Sequence, residues 1–294
     1  MTTGVVPTAI VPSHPAWRSL LWTVSFAVVW GWLIYRQPAL VEGGFPAMAA
    51  RLMSYGLIAL GLWFGLDAAD LTPGQRRATW LAIMVPFTLW AAAAWTAAIN
   101  GVFRTGLFSP LPLLPAAIFL PVIVGAPLLL RSKRVGQVLD AMPTTWLVAL
   151  QLYRALGVQW LAYWMRGLLP SIFALPAGAG DVLTGLFALP AAIAVAAGTA
   201  KGRRAAILWN VFGLMDFAIA IALGMITSPG RFQLIVPDIP SIGVDAFPNV
   251  LTPAFVVPSS ILLHVLSLRQ LRRRVRAEAV GDSRQLHSTQ LAVG

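Results

Sequence analysis

The side chains of this sequence that could do chemistry lie inside apolar segments. Arg154 lies in TWLVALQLYRALGVQWLAYWM, and Asp216 lies in AAILWNVFGLMDFAIAIALGM. A charge at the centre of a membrane-spanning helix costs about 2.5–3.5 kcal/mol on insertion scales, so it normally has a partner or a function. Counted at about 1.5 Å per residue from one end of each segment, both residues fall near the same mid-segment depth. We therefore expect Arg154 and Asp216 to form a buried ion pair.

Other polar residues fall at neighbouring depths of the same part of the chain. Asn210 and His264 share a level closer to one end of their segments, and Gln159 and Asp181 share a level beyond the centre. Gln151 adds a further amide to the segment that carries Arg154. Carboxylates and histidine exchange protons, and arginine holds anionic groups, so these residues predict a proton or solute pathway.

Composition predicts the elements that position these groups. The chain of 294 residues is 58% hydrophobic and 11% charged, with mean hydropathy +0.78. A soluble domain carries roughly 25% charged residues, so this chain is too poor in charge for a water-covered surface. We expect an all-α, polytopic transmembrane helical bundle of about eight spans. The predicted spans are 18–36, 48–67, 79–99, 112–130, 144–166, 181–200, 205–227 and 248–268.

Basic residues predict the orientation of this bundle. The net charge of +11 does not indicate nucleic-acid binding, because the basic residues lie between apolar segments rather than on one face. They concentrate in alternate loops and in the C-terminal tail, which favours both termini in the cytoplasm. The excess of arginine over lysine is consistent with a GC-rich bacterial genome, and we expect a location in a bacterial inner membrane. The loops richest in basic residues are 76–77, 131–134, 201–204 and the tail 269–284.

The polar groups are distributed unevenly between the two halves of the chain. Residues 1–143 predict a four-span scaffold, in which Arg51 is near the start of a span and can reach the membrane surface. Residues 144–268 predict a second set of four spans that carries the site. Residues 269–294 predict a basic cytoplasmic tail that contacts anionic lipid headgroups. The 228–247 loop is either a plain connector or a lid over an outward-facing cavity.

A broken or re-entrant segment is predicted near 167–181, GLLPSIFALPAGAGD. Proline and glycine disfavour a continuous helix, and non-helical backbone at membrane depth needs protein or water around it. Asp181 would then lie at the N-terminus of the sixth span, as a helix cap or as the outer part of a substrate site. The residues that predict the break are Pro170, Pro176, Gly178 and Gly180.

Cofactor chemistry finds little support. The chain has no cysteine, and of its histidines only His264 lies in a predicted span, so a pair of haem ligands is not expected. Lys133 and Lys201 both lie in loops, which does not fit a retinal Schiff base, and no cluster of zinc ligands is present. We expect no cofactor, no metal and no catalytic residue.

Three classes of function remain. The favoured one is a transporter or proton-coupled carrier of a small solute that uses the intramembrane Arg, Asp and His groups. The alternative is a non-catalytic assembly or partner subunit of a membrane complex, and the oligomeric state stays open. An enzyme is less expected, because Ser260 and His264 lie on one helix turn without an oxyanion-hole motif.

An intramembrane aspartyl protease is the other enzyme considered. The string Gly178-Ala179-Gly180-Asp181 looks like the Gly-x-Gly-Asp element of presenilin-type and prepilin-type aspartyl proteases. The second aspartate would be Asp216, but the order of the two is reversed. A span that starts at residue 181 also leaves the two carboxylates on the order of 10 Å out of level.

Several strings of the C-terminal half occur together in a recognisable arrangement. These are LYRALG at 152–157, GLLP at 167–170, FALPAGAGD at 173–181, WNVFGLMD at 209–216 and HVLSL at 264–268. Together they resemble an uncharacterised group of bacterial multi-pass integral membrane proteins over about residues 150–268. The resemblance implies a membrane location and spans in this region, and it implies no activity.

Overall fold

The computed structural model describes residues 16–36, 45–104 and 113–293. Within these ranges the chain consists of helices and turns, with no strand, so the predicted all-α bundle is confirmed. The helices are α1 (Ala16–Arg36), α2 (Phe45–Ala68), α3 (Pro73–Ile99), α4 (Leu113–Arg131), α5 (Lys133–Ala141), α6 (Thr144–Leu150), a 3₁₀ segment (Gln151–Gly157), α7 (Val158–Met165), α8 (Ser171–Ala196), α9 (Ala200–Thr227), α10 (Ile242–Asp245), a π-helical turn (Thr252–Val256) and α11 (Val257–Val293).

Seven stretches of the described chain are long and apolar enough to cross a membrane. They lie in α1, α2, α3, α4, α8, α9 and the Thr252–Val275 part that joins the π turn to α11. Their outer faces are strongly apolar; Trp22 is 77% exposed and Leu208 is 69% exposed. Soluble proteins rarely expose large apolar patches, so a lipid environment accounts for this surface.

The predicted span at 144–166, the fifth in chain order, is irregular. It is made of α6, the 3₁₀ segment and α7, which follow one another without a break over residues 144–165. With rises of about 1.5 Å per α-helical residue and about 2.0 Å per 3₁₀ residue, this stretch is roughly 36 Å long. That length exceeds the roughly 30 Å hydrocarbon core of a bilayer. Over the described ranges, seven stretches therefore have the length and composition of a span, and residues 144–165 are long enough to form the further span that the sequence predicts.

The prediction of a broken segment near 167–181 is wrong for most of its length. Only residues 166–170 form a turn, with Gly167 at φ +67°, and α8 begins at Ser171 with Pro170 as its cap. Pro176 lies inside α8 and does not end it. Proline is tolerated inside membrane helices because neighbouring helices satisfy the freed backbone groups. The break lies instead in the preceding span, at the 3₁₀ segment.

Gly178 and Gly180 serve close packing, which explains why they do not break α8. A Cβ atom on Gly178 would come within 2.7 Å of the Leu161 side chain in α7, and one on Gly180 would lie 1.6 Å from Asp216 Oδ1 in α9. A Cβ on Gly185 would lie 2.2 Å from the backbone nitrogen of Ala155. Small residues let the backbones of membrane helices approach closely, and here they bring α8 against α7, α9 and the 3₁₀ segment.

Aromatic packing holds the π turn in place. Phe255 of the turn packs against Phe87 and Trp90 of α3, with ring centroids 5.2 and 4.8 Å apart, and Tyr55 of α2 stacks on Phe87. The turn therefore connects the N-terminal spans to the start of α11.

The basic start of the tail packs on protein. The tail is a continuation of α11, and Arg273 binds the Asp140 carboxylate of α5, which lowers the pKa of that carboxyl group. Arg269 donates to the carbonyls of Leu129 and Ser132 at 2.8 and 3.0 Å. Contact of the tail with anionic headgroups stays a prediction for the remaining basic residues.

Replacing Gly185 by alanine tests the close approach of α8 to the 3₁₀ segment. The three atoms nearest to the added methyl group are backbone atoms of Ala155 and Arg154, so we expect Gly185→Ala to lower the free energy of unfolding by about 1–3 kcal/mol. Gly56 of α2 has no atom within 4 Å of an added Cβ, and Gly56→Ala is the matched control. Thermal unfolding in detergent measures both, and an equal response of the two variants would contradict the packing.

Candidate functional site

The site is built around the guanidinium of Arg154, which projects from the 3₁₀ segment and is 3% exposed. Nε and Nη2 both lie 2.8 Å from Asp181 Oδ1, and Nη2 also binds Asp216 Oδ2. Nη1 donates to the carbonyl of Gly213 at 3.1 Å and contacts His264 Nε2 at 3.2 Å. A guanidinium has five N–H donors; here all three nitrogens have hydrogen-bond partners, and Nη2 also lies within ion-pair distance of Asp181.

Two carboxylates therefore share one cation. Asp181 comes from α8 and Asp216 from α9, and both side chains are largely buried. The prediction of an Arg154–Asp216 ion pair agrees with this geometry. The expectation that Asp181 caps a helix and lies about 10 Å out of level with Asp216 is wrong, because α8 begins ten residues earlier and places Asp181 in its middle.

A hydrogen-bonded chain continues from Arg154 to α11 and α9. His264 Nδ1 lies 2.9 Å from Asn210 Oδ1, and Asn210 Nδ2 donates to Ser267 Oγ at 3.1 Å. Because Asn210 Nδ2 donates to Ser267 Oγ and to the Ala206 carbonyl, its Oδ1 is left to accept. His264 must then carry its proton on Nδ1 and accept from Arg154 on Nε2, which is the neutral tautomer. The predicted pairing of His264 with Asn210 is present.

Ser260 takes part in a separate set of contacts. Its hydroxyl pairs with the hydroxyl of Tyr153, and its carbonyl accepts from Gln151 Nε2 at 3.0 Å. The contacts of His264 are to Arg154 and Asn210 instead. Ser260 and His264 therefore lie on one helix face without forming a nucleophile–base pair.

Aromatic rings cover the charged groups. Arg154 Cζ lies 3.7 Å from the ring centroid of Phe217, a cation–π contact. The Trp209 ring packs on His264 with centroids 5.1 Å apart, and its Nε1 donates to the Thr184 carbonyl. These rings exclude water from one side of the guanidinium and of the imidazole.

Arg51 is a second buried arginine, and sequence reasoning misjudged it. It is 3% exposed and does not reach the membrane surface. Its Nη1 donates to the Ala47 carbonyl at 2.6 Å and to Gln159 Oε1 at 3.3 Å, and its Nη2 donates to Thr252 Oγ1 at 2.7 Å. Gln159, which we expected at the level of Asp181, forms a hydrogen bond with Arg51. The apolar residues on both sides of Arg51 in α2 were the sequence signal for a buried position.

Two cavities adjoin these charges. The larger has a volume of about 150 Å³, is mostly apolar, and extends from the loop at Ser228–Phe232 to the carboxylates of Asp181 and Asp216. The smaller, about 40 Å³, lies between Arg51 and Arg154. The loop predicted as connector or lid contributes to the wall of the larger cavity.

The site residues predicted from the sequence mostly come together. One connected network contains Arg154, Asp216, Asp181, His264 and Asn210, while Gln151 and Gln159 lie beside it with other partners. The residues that sequence reasoning missed are Arg51, Tyr153, Gly213, Phe217, Thr252 and Ser267. Over the described ranges, no group of three or more His, Cys, Asp or Glu side chains is arranged to hold a metal ion.

The fold and the site define a helical protein with segments long and apolar enough to span a membrane and with a buried Arg–Asp–Asp–His network. The chain is similar, over residues 131–272, to a family described as a domain of unknown function (DUF8737). The matched stretch contains the whole Arg154 network and excludes Arg51. Neither the curated proteins nor the solved structures include a significant match.

Removing the shared cation tests the energetic role of the network. Arg154→Met leaves two buried carboxylates without a counter-ion, so we expect a loss of about 3–5 kcal/mol in the free energy of unfolding. Arg76→Met removes a cation from the exposed pair with Asp67 and should cost no more than about 1 kcal/mol. Thermal unfolding in detergent compares the two.

Neutralising the carboxylates supplies the control. If unpaired charge causes the loss, the triple variant Arg154→Met, Asp181→Asn, Asp216→Asn should be more stable than Arg154→Met alone. A triple variant that is no more stable would show that packing, and not charge, is what Arg154 contributes.

Proposed function

We propose that the protein is a membrane carrier that couples movement of a small solute to movement of a proton bound at Asp181 and Asp216. The observation that carries the proposal is the sharing of one guanidinium by two buried carboxylates at the inner end of a cavity. Like charges that share a buried site favour the binding of a proton by one of them.

The charges of the network support a single exchangeable proton. With both carboxylates ionised and His264 neutral, the network around Arg154 carries one net negative charge. One proton on either carboxylate makes the network neutral. A buried network that is neutral in its protonated form and charged after release can change its hydration and packing as the proton leaves.

A cavity on one side of Arg154 and a buried polar chain on the other support a pathway through the bundle over simple binding. The larger cavity leads from the loop after α9 to the two carboxylates. On the far side of Arg154, His264, Asn210 and Ser267 form a buried hydrogen-bonded chain that continues from the guanidinium to α11. The 3₁₀ segment and the π turn, which carry Arg154 and Thr252, are irregularities of the kind that mark hinges in helices.

The setting of the proposal is a bacterial inner membrane. The positive-inside distribution of arginines supports cytoplasmic termini, with the loop at 228–247 on the outside. In this orientation the larger cavity faces outward, and residues 144–268 carry most of the site. The first four spans contribute more than a scaffold, since Arg51 of α2 lies beside the smaller cavity.

The geometry does not favour the aspartyl-protease alternative. Two catalytic aspartates need to hold a water between them, whereas here the guanidinium of Arg154 contacts both carboxylates. That arrangement favours charge neutralisation over activation of a nucleophile.

Proton flux in reconstituted vesicles tests the proposal. Purified protein in liposomes that enclose a pH-sensitive dye is exposed to pooled small metabolites at two external pH values. We expect solute-dependent acidification of the lumen, faster at the lower pH and reduced at least about tenfold in Asp216→Asn and in Asp181→Asn. Asp140→Asn and Asp67→Asn alter exposed carboxylates outside the network and should leave the flux unchanged.

Each other outcome has a defined meaning. Unchanged flux in both network variants would contradict a role for these carboxylates in coupling. Absence of flux in the wild type, together with network variants that are only less stable, would make the network a structural clamp and favour the partner-subunit alternative, which co-purification from native membranes would then address.

A further inference from the structure

Arg51, unlike Arg154, has a guanidinium nitrogen without a hydrogen-bond partner. Three of its N–H groups have acceptors, in the Ala47 carbonyl, Gln159 and Thr252. Its Nε is buried and has no hydrogen-bond partner. Nε–H lies beside Nη2 on one edge of the planar guanidinium, and this edge binds a carboxylate through parallel hydrogen bonds. Arg154 uses the same two nitrogens to bind Asp181.

Arg51 also lacks a counter-ion. Its three acceptors are all uncharged oxygens, and no carboxylate lies within ion-pair distance of it in the described part of the chain. An isolated charge in an apolar interior is costly, and buried charges are normally paired. The structure thus contains a buried cation whose partner is not supplied by the described residues.

The space beside Arg51 fits a small acidic group. The smaller cavity is lined by Arg51, Tyr153 and Ser260 among others, and its volume of about 40 Å³ exceeds the roughly 10–15 Å³ needed for a single water. It shares a wall with the larger apolar cavity. The residues that line both are Trp160, Asp181, Phe217, Thr252 and Val257.

We propose that Arg51 binds the carboxylate of a small apolar monocarboxylate, whose hydrocarbon part occupies the larger cavity and whose acidic end reaches Arg51 past Thr252. The size of the larger cavity supports this class, since an apolar cavity of about 150 Å³ can hold a benzene ring. This inference names the substrate class of the carrier and rests on the proposed function.

Charge balance links the anion to the proton. The two buried arginines and the two buried aspartates sum to zero when both carboxylates are ionised. One proton on Asp181 or Asp216 leaves one positive charge, and a bound monocarboxylate restores zero. Asp181 lines both cavities, so its protonation also removes repulsion of the incoming carboxylate. Proton and anion binding must then strengthen each other reciprocally.

Other charged or titratable groups lie around Asp181 and Asp216. They limit which groups can couple proton binding to anion binding. Arg154 from the 3₁₀ segment contacts both aspartates, and His264 from α11 contacts Arg154 in its neutral form. Tyr153 pairs with Ser260, and Tyr163 of α7 donates to Asn249 at 3.0 Å. Both tyrosines are un-ionised near neutral pH, so the aspartates are the groups that titrate with anion binding.

Binding to the purified, detergent-solubilised protein tests the proposal. The probes are benzoate, its uncharged isostere benzamide, and benzylammonium, each measured by titration calorimetry at pH 6 and pH 8. We expect benzoate to bind at least about tenfold more tightly than benzamide and benzylammonium, and more tightly at pH 6 than at pH 8. Equal binding of benzoate and benzamide, or tighter binding of benzylammonium, would overturn the proposal without any variant.

Two variants assign the binding to Arg51. Arg51→Gln should lower benzoate affinity at least about tenfold and leave benzamide unaffected, because charge-assisted hydrogen bonds are lost. Thr252→Val keeps the charge and removes one anchor of the guanidinium, so it should weaken benzoate less. Arg76→Gln, at an exposed arginine, is the matched control and should bind as wild type. Wild-type benzoate affinity in a folded Arg51→Gln would contradict the assignment.

The failure of this inference and of the proposed function can be told apart. Solute-dependent proton flux that requires Asp216, in a protein that does not bind benzoate, would keep the carrier and refute the carboxylate class. Benzoate binding that requires Arg51, in a protein without proton flux, would keep the anion site and refute the carrier.

Discussion

The pairing of one buried guanidinium at all three of its nitrogens is the constraint on which the rest of the structure depends. Arg154 satisfies its donors with groups from α8, α9 and α11, so these helices must approach the 3₁₀ segment closely. A buried ion is tolerated only with good geometry and complete hydrogen bonding. The glycines follow from this requirement: a Cβ on Gly180 would collide with Asp216, and one on Gly213 would lie 2.6 Å from His264 and 2.9 Å from Arg154 Nη1. Packing and electrostatics are therefore specified by the same positions, and a change in charge at the centre acts on the contacts between the helices.

The 3₁₀ geometry of the fifth span gives this centre its form. With about three residues per turn, Gln151, Arg154 and Gly157 stack along one face of the segment. Arg154 thereby points at the carboxylates while Gly157, whose Cβ would lie 2.2 Å from that of Asp181, allows α8 to approach. The π turn in the last span positions Thr252, whose hydroxyl accepts a hydrogen bond from the Arg51 guanidinium. Two irregular helical segments thus help to hold the two buried cations beside a small cavity.

Much of this arrangement was predictable from the sequence because helical rise converts residue number into depth. Counting along continuous helices correctly paired Arg154 with Asp216 and His264 with Asn210. The same counting fails for Asp181, because Pro176 lies inside α8 and this helix begins ten residues before Asp181. It failed for Arg51 because position near a span end says nothing about the partners inside the bundle. Which neighbours a proline or an arginine meets depends on tertiary packing between distant segments, and counting residues along one segment does not reveal that packing. The 3₁₀ segment was likewise invisible, since its residues have no shared local signal.

The proposed function requires that Asp181 and Asp216 hold one exchangeable proton between them. The most direct measurement is pH-difference infrared spectroscopy of the protein in lipid, which detects the carbonyl stretch of a protonated carboxyl group. If one proton is shared, one such band appears on acidification, and it is lost in the variant with both Asp181→Asn and Asp216→Asn. In either single variant, the titration midpoint of the band shifts. A spectrum in which the double variant titrates as the wild type does would show that both carboxylates stay ionised against Arg154, and the network would then be a fixed structural element without a role in proton exchange.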